Sequence, residues 1–231
     1  MDLSAVQNFW YIHVYEEYVR IEGIEVDGSG LTNGRRLTVV RIDDTLSNPS
    51  DLRFDKMLVH HFINSNGVDE DSDVFGFQVK NGNVTVSNTI IYRLEQLNTN
   101  ASAAVNAVNH SSVGTSAFYN NTIYNIKNSS GNTASAAGIK VGAGTVTATN
   151  NVVLNIDSTG GSEPSVTGTS TPSYNNSSDA SASGTGSLTG RASTENPNPG
   201  AGDWVVFADL AAGSEDLHLQ YVAENDAHDA G

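Results

Sequence analysis

Ser116 to Ile126 reads Ser-Ala-Phe-Tyr-Asn-Asn-Thr-Ile-Tyr-Asn-Ile, and the same frame recurs along the chain. Val146 to Ile156 reads Val-Thr-Ala-Thr-Asn-Asn-Val-Val-Leu-Asn-Ile, and Val84 to Leu94 reads Val-Thr-Val-Ser-Asn-Thr-Ile-Ile-Tyr-Arg-Leu. Leu52 to Phe62 fits the frame, and Val19 to Val26 fits it loosely. The matched positions begin at 19, 52, 84, 116 and 146, giving steps of 33, 32, 32 and 30 residues. A unit of about 20–50 residues that cannot bury its apolar side alone must stack on its neighbours, which is how solenoids are built.

Aligned on this frame, the apolar residues form columns. One runs Val19, Leu52, Val84, Ser116, Val146, and the next Ile21, Phe54, Val86, Phe118, Ala148. Further along come Val59, Ile91, Ile123, Val153, then Phe62, Leu94, Ile126, Ile156. Strand alternation puts each set on one face, and stacking turns each column into an apolar ladder between parallel strands about 4.8 Å apart. The residue types are those that strands favour. The expected fold is all-β, a right-handed parallel β-helix (solenoid) of about five to six coils.

An Asn-rich column sits between the inward ones: Lys56, Asn88, Asn120, Asn150 and Asn175. Asn tolerates the left-handed backbone that a tight bend demands, and its amide can bond to equivalent amides above and below. Asn88, Asn120, Asn150 and Asn175 are therefore expected to form a structural ladder. Lys56 interrupts it.

The rest of the chain divides around these coils. Residues 1–15, with Phe9, Trp10, Tyr11, Ile12 and Val14, read either as an N-terminal cap or partial coil, or as an ordinary first strand. Residues 16–160 hold the β-helix coils, whose weaker partner strands are Asp73 to Lys80, Ala103 to Val108, Ala137 to Val141 and Ser165 to Thr167. Residues 161–202 are Ser/Thr/Gly-rich and read as loops over a thin last coil, with a disordered linker as the rival. Residues 203–231 return to an apolar strand, Trp204 to Phe207, and form a C-terminal closing segment.

Composition narrows the function classes. The net charge of −15, with only 11 Lys and Arg, argues against a nucleic-acid partner. The absence of Cys excludes disulfides and thiolate metal sites. No apolar run approaches the roughly 20 residues that span a bilayer, so no membrane partner is expected. Met1 to Gln7 has no basic segment followed by an apolar one. The expectation is a chain not exported by that route, or a fragment.

The Asn-Asn-Thr-Ile-Tyr-Asn-Ile coils, the opening Tyr18-Val-Arg-Ile-Glu-Gly-Ile-Glu-Val-Asp-Gly28, and the ending Asp216-Leu-His-Leu-Gln220 to Asp229-Ala-Gly231 together resemble right-handed parallel β-helix repeat proteins. The resemblance covers most of residues 16–231. It implies a protein of the kind found on bacterial surfaces and in phage virions, on a fold that also hosts polysaccharide lyases and hydrolases.

The enzyme signatures of that resemblance are thin. The hydrolases use clustered Asp residues with a Gly-His-Gly and an Arg-x-Lys. Asp43-Asp44 is the sole Asp pair, and neither other motif occurs. Acid/base hydrolysis needs two carboxylates facing one another across about 5–10 Å. A lyase needs a basic group and a cation. The best catalytic face is the column His61, Arg93, Asn125, Asn155, with Tyr92 and Tyr124 beside it and Lys127 nearby. If the protein is an enzyme, Arg93, Lys127, Tyr92 and Tyr124 carry the chemistry; a plain polar outer face explains the same residues. Asp69, Glu70, Asp71 and Asp73 form the densest acidic run and a weak Ca²⁺ candidate, against a solvated loop. The histidines, at 13, 60, 61, 110, 218 and 228, show no ligand spacing on a helix or hairpin, so no metal is assigned to them.

The function expected from these features is a non-catalytic structural or adhesive β-helix. The favoured role is a phage virion component, either capsid-decorating or tail-associated, without cofactors. The alternatives are a polysaccharide lyase or hydrolase acting on the outer face, and a bacterial cell-surface adhesin. The expected partners are further copies of the chain (a trimer, by analogy with β-helical spikes), other virion or surface proteins, and glycans.

Overall fold

The computed structural model describes residues 8–31, 36–43, 49–65, 72–97, 103–129, 135–159, 164–168, 171–194, 204–211 and 215–219. Every regular element among them is a β-strand. The strands come in threes, one triplet per coil. The first coil holds β1 (Asn8–Val14), β2 (Arg20–Glu22) and β3 (Glu25–Asp27), and the second β4 (Arg36–Ile42), β5 (Leu52–Asp55) and β6 (Leu58–Asn64). The third holds β7 (Val74–Val79), β8 (Val84–Ser87) and β9 (Ile90–Gln96), and the fourth β10 (Val105–His110), β11 (Thr115–Tyr119) and β12 (Thr122–Asn128). The fifth holds β13 (Ala136–Val141), β14 (Thr145–Thr149) and β15 (Val152–Ser158). The sixth is thin: β16 (Val166–Thr167), β17 (Thr171–Ser173) and β18 (Asn176–Ser177).

Corresponding strands pair in parallel and build three six-stranded sheets: β1-β4-β7-β10-β13-β16, β2-β5-β8-β11-β14-β17 and β3-β6-β9-β12-β15-β18. The chain is thus a parallel β-solenoid of about four full turns, with a shorter coil at each end. The columns stack as the repeat requires. Leu52 faces Val84, Phe54 faces Val86, Phe118 faces Ala148, and Ile123 lies between Ile91 and Val153. These side chains are buried in one continuous core. Phe54 from the second sheet meets Phe77 from the first edge-on, with ring centroids 5.4 Å apart. Ser116 is the polar exception in its apolar column. Its hydroxyl bonds to His110 Nε2 at 2.9 Å and accepts the Val84 N–H at 3.2 Å, so neither buried polar side chain is left unpaired.

The Asn-rich stretch divides into two columns with different work. Lys56, Asn88, Asn120, Asn150 and Tyr174 all have φ between 50° and 57°, and all are exposed. They turn the corner between the second and third sheets, and Gly23 (φ 68°) opens the same column. Lys56 stands in the column as a surface side chain, its Nζ 2.8 Å from Glu22 Oε1. The ladder expected at Asn88, Asn120 and Asn150 is only partial on the surface, where Asn120 Nδ2 donates to Asn88 Oδ1 at 3.3 Å. The buried ladder lies one residue later, at Thr89, Asn121, Asn151 and Asn175. Asn121 N and Nδ2 both donate to Asn151 Oδ1, at 3.1 and 3.0 Å. Asn151 N and Nδ2 both donate to Asn175 Oδ1, each at 3.0 Å. Each amide also reaches back to a carbonyl of the preceding strand: Asn151 Nδ2 to Phe118 O at 2.9 Å, and Asn175 Nδ2 to Ala148 O at 2.8 Å. Asn175 therefore belongs to the inner ladder and not to the corner column.

Neighbouring residues should respond oppositely to substitution. Asn151→Leu orphans two Asn121 donors at a dry position, each costing about 1–3 kcal/mol. Asn150→Gly keeps a backbone that glycine adopts freely and should cost no more than about 1 kcal/mol. Ile123→Asp buries a charge with no partner and should unfold the middle coils, whereas Asn125→Gly should not. Urea denaturation followed by far-ultraviolet circular dichroism checks both pairs. Equal midpoints within either pair would contradict the inward and outward assignments.

Candidate functional site

Before its strands bend, the third sheet carries two outward columns, and its outer face is where the polar candidates gather. One column reads Glu25, Leu58, Ile90, Thr122, Val152, and the other Asp27, His60, Tyr92, Tyr124, Leu154. From coil to coil the second column passes from ionic to aromatic to aliphatic. The chain covers the apolar end itself. β19 (Ala192–Thr194), β20 (Trp204–Asp209) and β21 (Asp216–Leu219) form a small three-stranded sheet in which β20 and β21 run antiparallel. Val205, Phe207 and Leu217 pack with Tyr92, Tyr124, Val152 and Leu154 in a second apolar cluster, distinct from the solenoid core. The Tyr124 and Phe207 rings lie 5.7 Å apart.

This cover changes the reading of the lyase face. Tyr92 and Tyr124 retain only 6% and 9% of their surface. Burial, followed by the charges of Glu215, Asp27 and Glu25, holds the Tyr92 hydroxyl above the usual phenol range. Arg93 Nε lies 3.4 Å from Glu95 Oε1, and Arg93 Nη1 lies 4.0 Å from Glu215 Oε1. The Glu215 side chain, just before β21, the second strand of the closing hairpin, is only 3% exposed. Lys127 is half-buried on the next part of the strand, in register with Glu95 and Asp157. Arg93 and Tyr92 thus share one environment with Glu215, while Lys127 lies further along its strand, past the bend.

His61, Arg93, Asn125 and Asn155 are not the plain outward set that alternation implies. All four have φ between 54° and 58° and bend the strand in its middle. The bend breaks alternation, because a left-handed residue redirects the side chains on either side of it. At His61 it brings adjacent imidazoles to the same side of the sheet. His60 Nδ1 and His61 Nδ1 lie 2.5 Å apart. Asp27 Oδ1, contributed by the previous coil, is 3.6 Å from the first nitrogen and 3.9 Å from the second. These three donor atoms lie within 4.8 Å of one another. His60 stacks face to face on Tyr92, with planes 4° apart and centroids at 5.1 Å. Gly28 admits the close approach. A Cβ there would meet His61 O at 2.7 Å, and the Gly28 N–H donates to His60 O at 2.9 Å.

The electrostatics follow from position. Burial, then the neighbouring charges of His60 and Arg93, push the His61 pKa below the usual imidazole value. Burial alone would raise the Asp27 pKa. Hydrogen bonds from Ser29 N and Ser29 Oγ, each 2.8 Å, together with the two histidines, bring it below the usual carboxylate value. No ligand spacing links Asp27 to His60 in sequence, since they lie one coil apart. The solenoid step of 33 residues was the available signal, because it places position 27 beside position 60.

Of the acidic run considered for Ca²⁺, Asp69, Glu70 and Asp71 lie outside the described residues. Asp73 pairs with Arg36, whose Nη2 is 3.0 Å away, and accepts the Ala104 N–H at 2.8 Å. It therefore ties neighbouring coils together. Comparison with protein-family models, with curated proteins and with solved structures finds no match for this chain.

The closing hairpin should be separable from the solenoid. Phe207→Ala removes about 3–5 kcal/mol of packing from the second cluster. Amide hydrogen exchange should accelerate in β20 and β21, while β9, β12 and the inner strands keep their protection. Loss of protection throughout would show that hairpin and coils unfold as one unit.

Proposed function

We propose that the protein is a non-catalytic structural or adhesive β-solenoid. The observation that carries this reading is the cover over the outer face of the third sheet. Tyr92 and Tyr124, the aromatic half of the catalytic candidate, are packed beneath Val205, Phe207 and Leu217. Arg93 faces Glu95 and Glu215. A polysaccharide lyase must lay its substrate along an open groove beside its base, and this stretch of surface is occupied by the chain itself.

The second sheet offers the open face. Its outward residues Arg20, Arg53, Thr85, Ala117, Thr147 and Thr171 are exposed or half-exposed, as are Glu22, Asp55, Tyr119 and Thr149. Thr147 and Thr171 hydroxyls bond at 2.8 Å, and Thr149 and Ser173 at 3.1 Å. Ladders of this kind make a flat, stiff, polar surface, suited to docking against another surface more than to enclosing a small molecule. Within the structural class, the resemblance to β-helix proteins of phage virions supports a capsid-decorating or tail-associated component, assembled as a homo-oligomer on this flat face.

Incubation with a panel of uronic-acid and neutral polysaccharides, with and without Ca²⁺, should yield neither unsaturated nor new reducing ends. Cleavage abolished by Arg93→Ala would overturn the reading. Tyr119→Asp, on the open face, should weaken self-association or glycan binding without lowering the melting temperature. Sedimentation and glycan-array binding of the two proteins measure this, and unchanged behaviour in both would remove the second sheet as the docking face.

A further inference from the structure

We propose that Asp27, His60 and His61 form a binding site for a zinc-type divalent cation, which clamps the first coil to the second beside the closing hairpin. Three features converge on it. The first is the donor set. Two imidazole nitrogens and one carboxylate oxygen suit borderline divalent metals such as Zn²⁺, while Ca²⁺ and Mg²⁺ take oxygen ligands almost exclusively.

The second is geometry. Ligands about 2.0–2.2 Å from a tetrahedral zinc lie about 3.3–3.5 Å from one another. The three separations here, 2.5, 3.6 and 3.9 Å, bracket that edge length. Small adjustments of the two imidazoles therefore seat an ion. The two Nδ1 atoms, 2.5 Å apart, share one proton in an N–H···N bond when no ion lies between them. The left-handed conformation of His61 creates this convergence, since an ordinary strand would send the two rings to opposite faces.

The third is the outer shell. A metal-bound histidine usually donates its other ring N–H to a carboxylate, which fixes the tautomer and orients the ring. His60 Nε2 lies 2.9 Å from Glu25 Oε1, and His61 Nε2 lies 3.9 Å from Glu215 Oε2. Both rings thus turn Nδ1 inward and Nε2 toward an acid. Asp27 is held in place by Ser29 N on Oδ1 and Ser29 Oγ on Oδ2. Three protein ligands leave a fourth position for water, and Asp27 is exposed to solvent. The ion would join β3 to β6 through its ligands, and the hairpin through Glu215.

The test uses the full chain, stripped with EDTA and titrated with ZnCl₂ by isothermal calorimetry. The wild type should take up about one equivalent, and bound zinc should raise its melting temperature. His61→Asn is the informative variant, because Asn125 and Asn155 hold the same left-handed corner in other coils. It should fold, as judged by circular dichroism, yet bind zinc at least about tenfold more weakly and lose the zinc-dependent rise in melting temperature. Asp27→Asn should weaken binding in the same direction. His218→Gln, at an exposed position on β21, should bind like the wild type. No stoichiometric uptake by the wild type, or equal uptake by His61→Asn, would overturn the proposal. Weakening by His218→Gln equal to that by His61→Asn would do the same.

Discussion

Each coil has to turn its corners at the same place as the coil beneath it. Parallel strands stack only when their hydrogen-bonding registers agree, and a corner shifted by one residue would send every later side chain to the wrong face. The solenoid meets this constraint with single left-handed residues at repeated positions: Lys56, Asn88, Asn120 and Asn150 at one corner, His61, Arg93, Asn125 and Asn155 at the next. An L-residue in this conformation costs about 1–2 kcal/mol, least for Asn. The buried ladder offsets that cost. Asn121, Asn151 and Asn175 each satisfy a backbone N–H of the coil before and a carbonyl of the strand before, so the corner is fixed by bonds formed away from water.

The inner face of this architecture was legible because it depends on one period and one alternation. Leu52, Val84 and Val146, or Ile91, Ile123 and Val153, identify their column by spacing alone, and they are buried together. The Asn pair was harder. Asn120 and Asn121 are adjacent and identical, and nothing in their chemistry says which one bends the backbone and which one points inward. Only the pairing register separates them. The site was less legible still. Asp27 meets His60 because the coil step brings them level, and His61 joins them because its backbone is left-handed. Alternation, applied strictly, puts His60 and His61 on opposite faces and loses the cluster.

The closing hairpin did leave a trace in the sequence. A strand with one wet face alternates, but Leu58-Val59 and Ile90-Ile91-Tyr92 are apolar without a break, as is Val152-Val153-Leu154. Such runs mark strands buried on both sides. The inner members of these runs join the solenoid core, and the outer ones join Val205, Phe207 and Leu217. The apolar strand after residue 203 is therefore the partner that the third sheet already called for. A plain polar outer face, with Tyr92 and Tyr124 beside the column of His61, Arg93, Asn125 and Asn155, does not meet that demand.

The same cover explains where polar chemistry survives on this face. Apolar outer residues are tolerable only beneath the hairpin, which lies over the third, fourth and fifth coils through Tyr92, Tyr124 and Leu154. Past its edge the column must become polar, and it does so at once with His60 and Asp27. Glu215 stands at that boundary, nearly buried, with Arg93 and His61 both within 4.0 Å. A carboxylate so placed needs positive charge around it to offset its lost hydration. Arg93 supplies part of that charge, and His61 supplies more when its ring is protonated or polarised by a cation on Nδ1. The boundary between cover and solvent is thus an ionic seam, where Glu215 of the closing segment meets Arg93 on the third coil and His61 on the second.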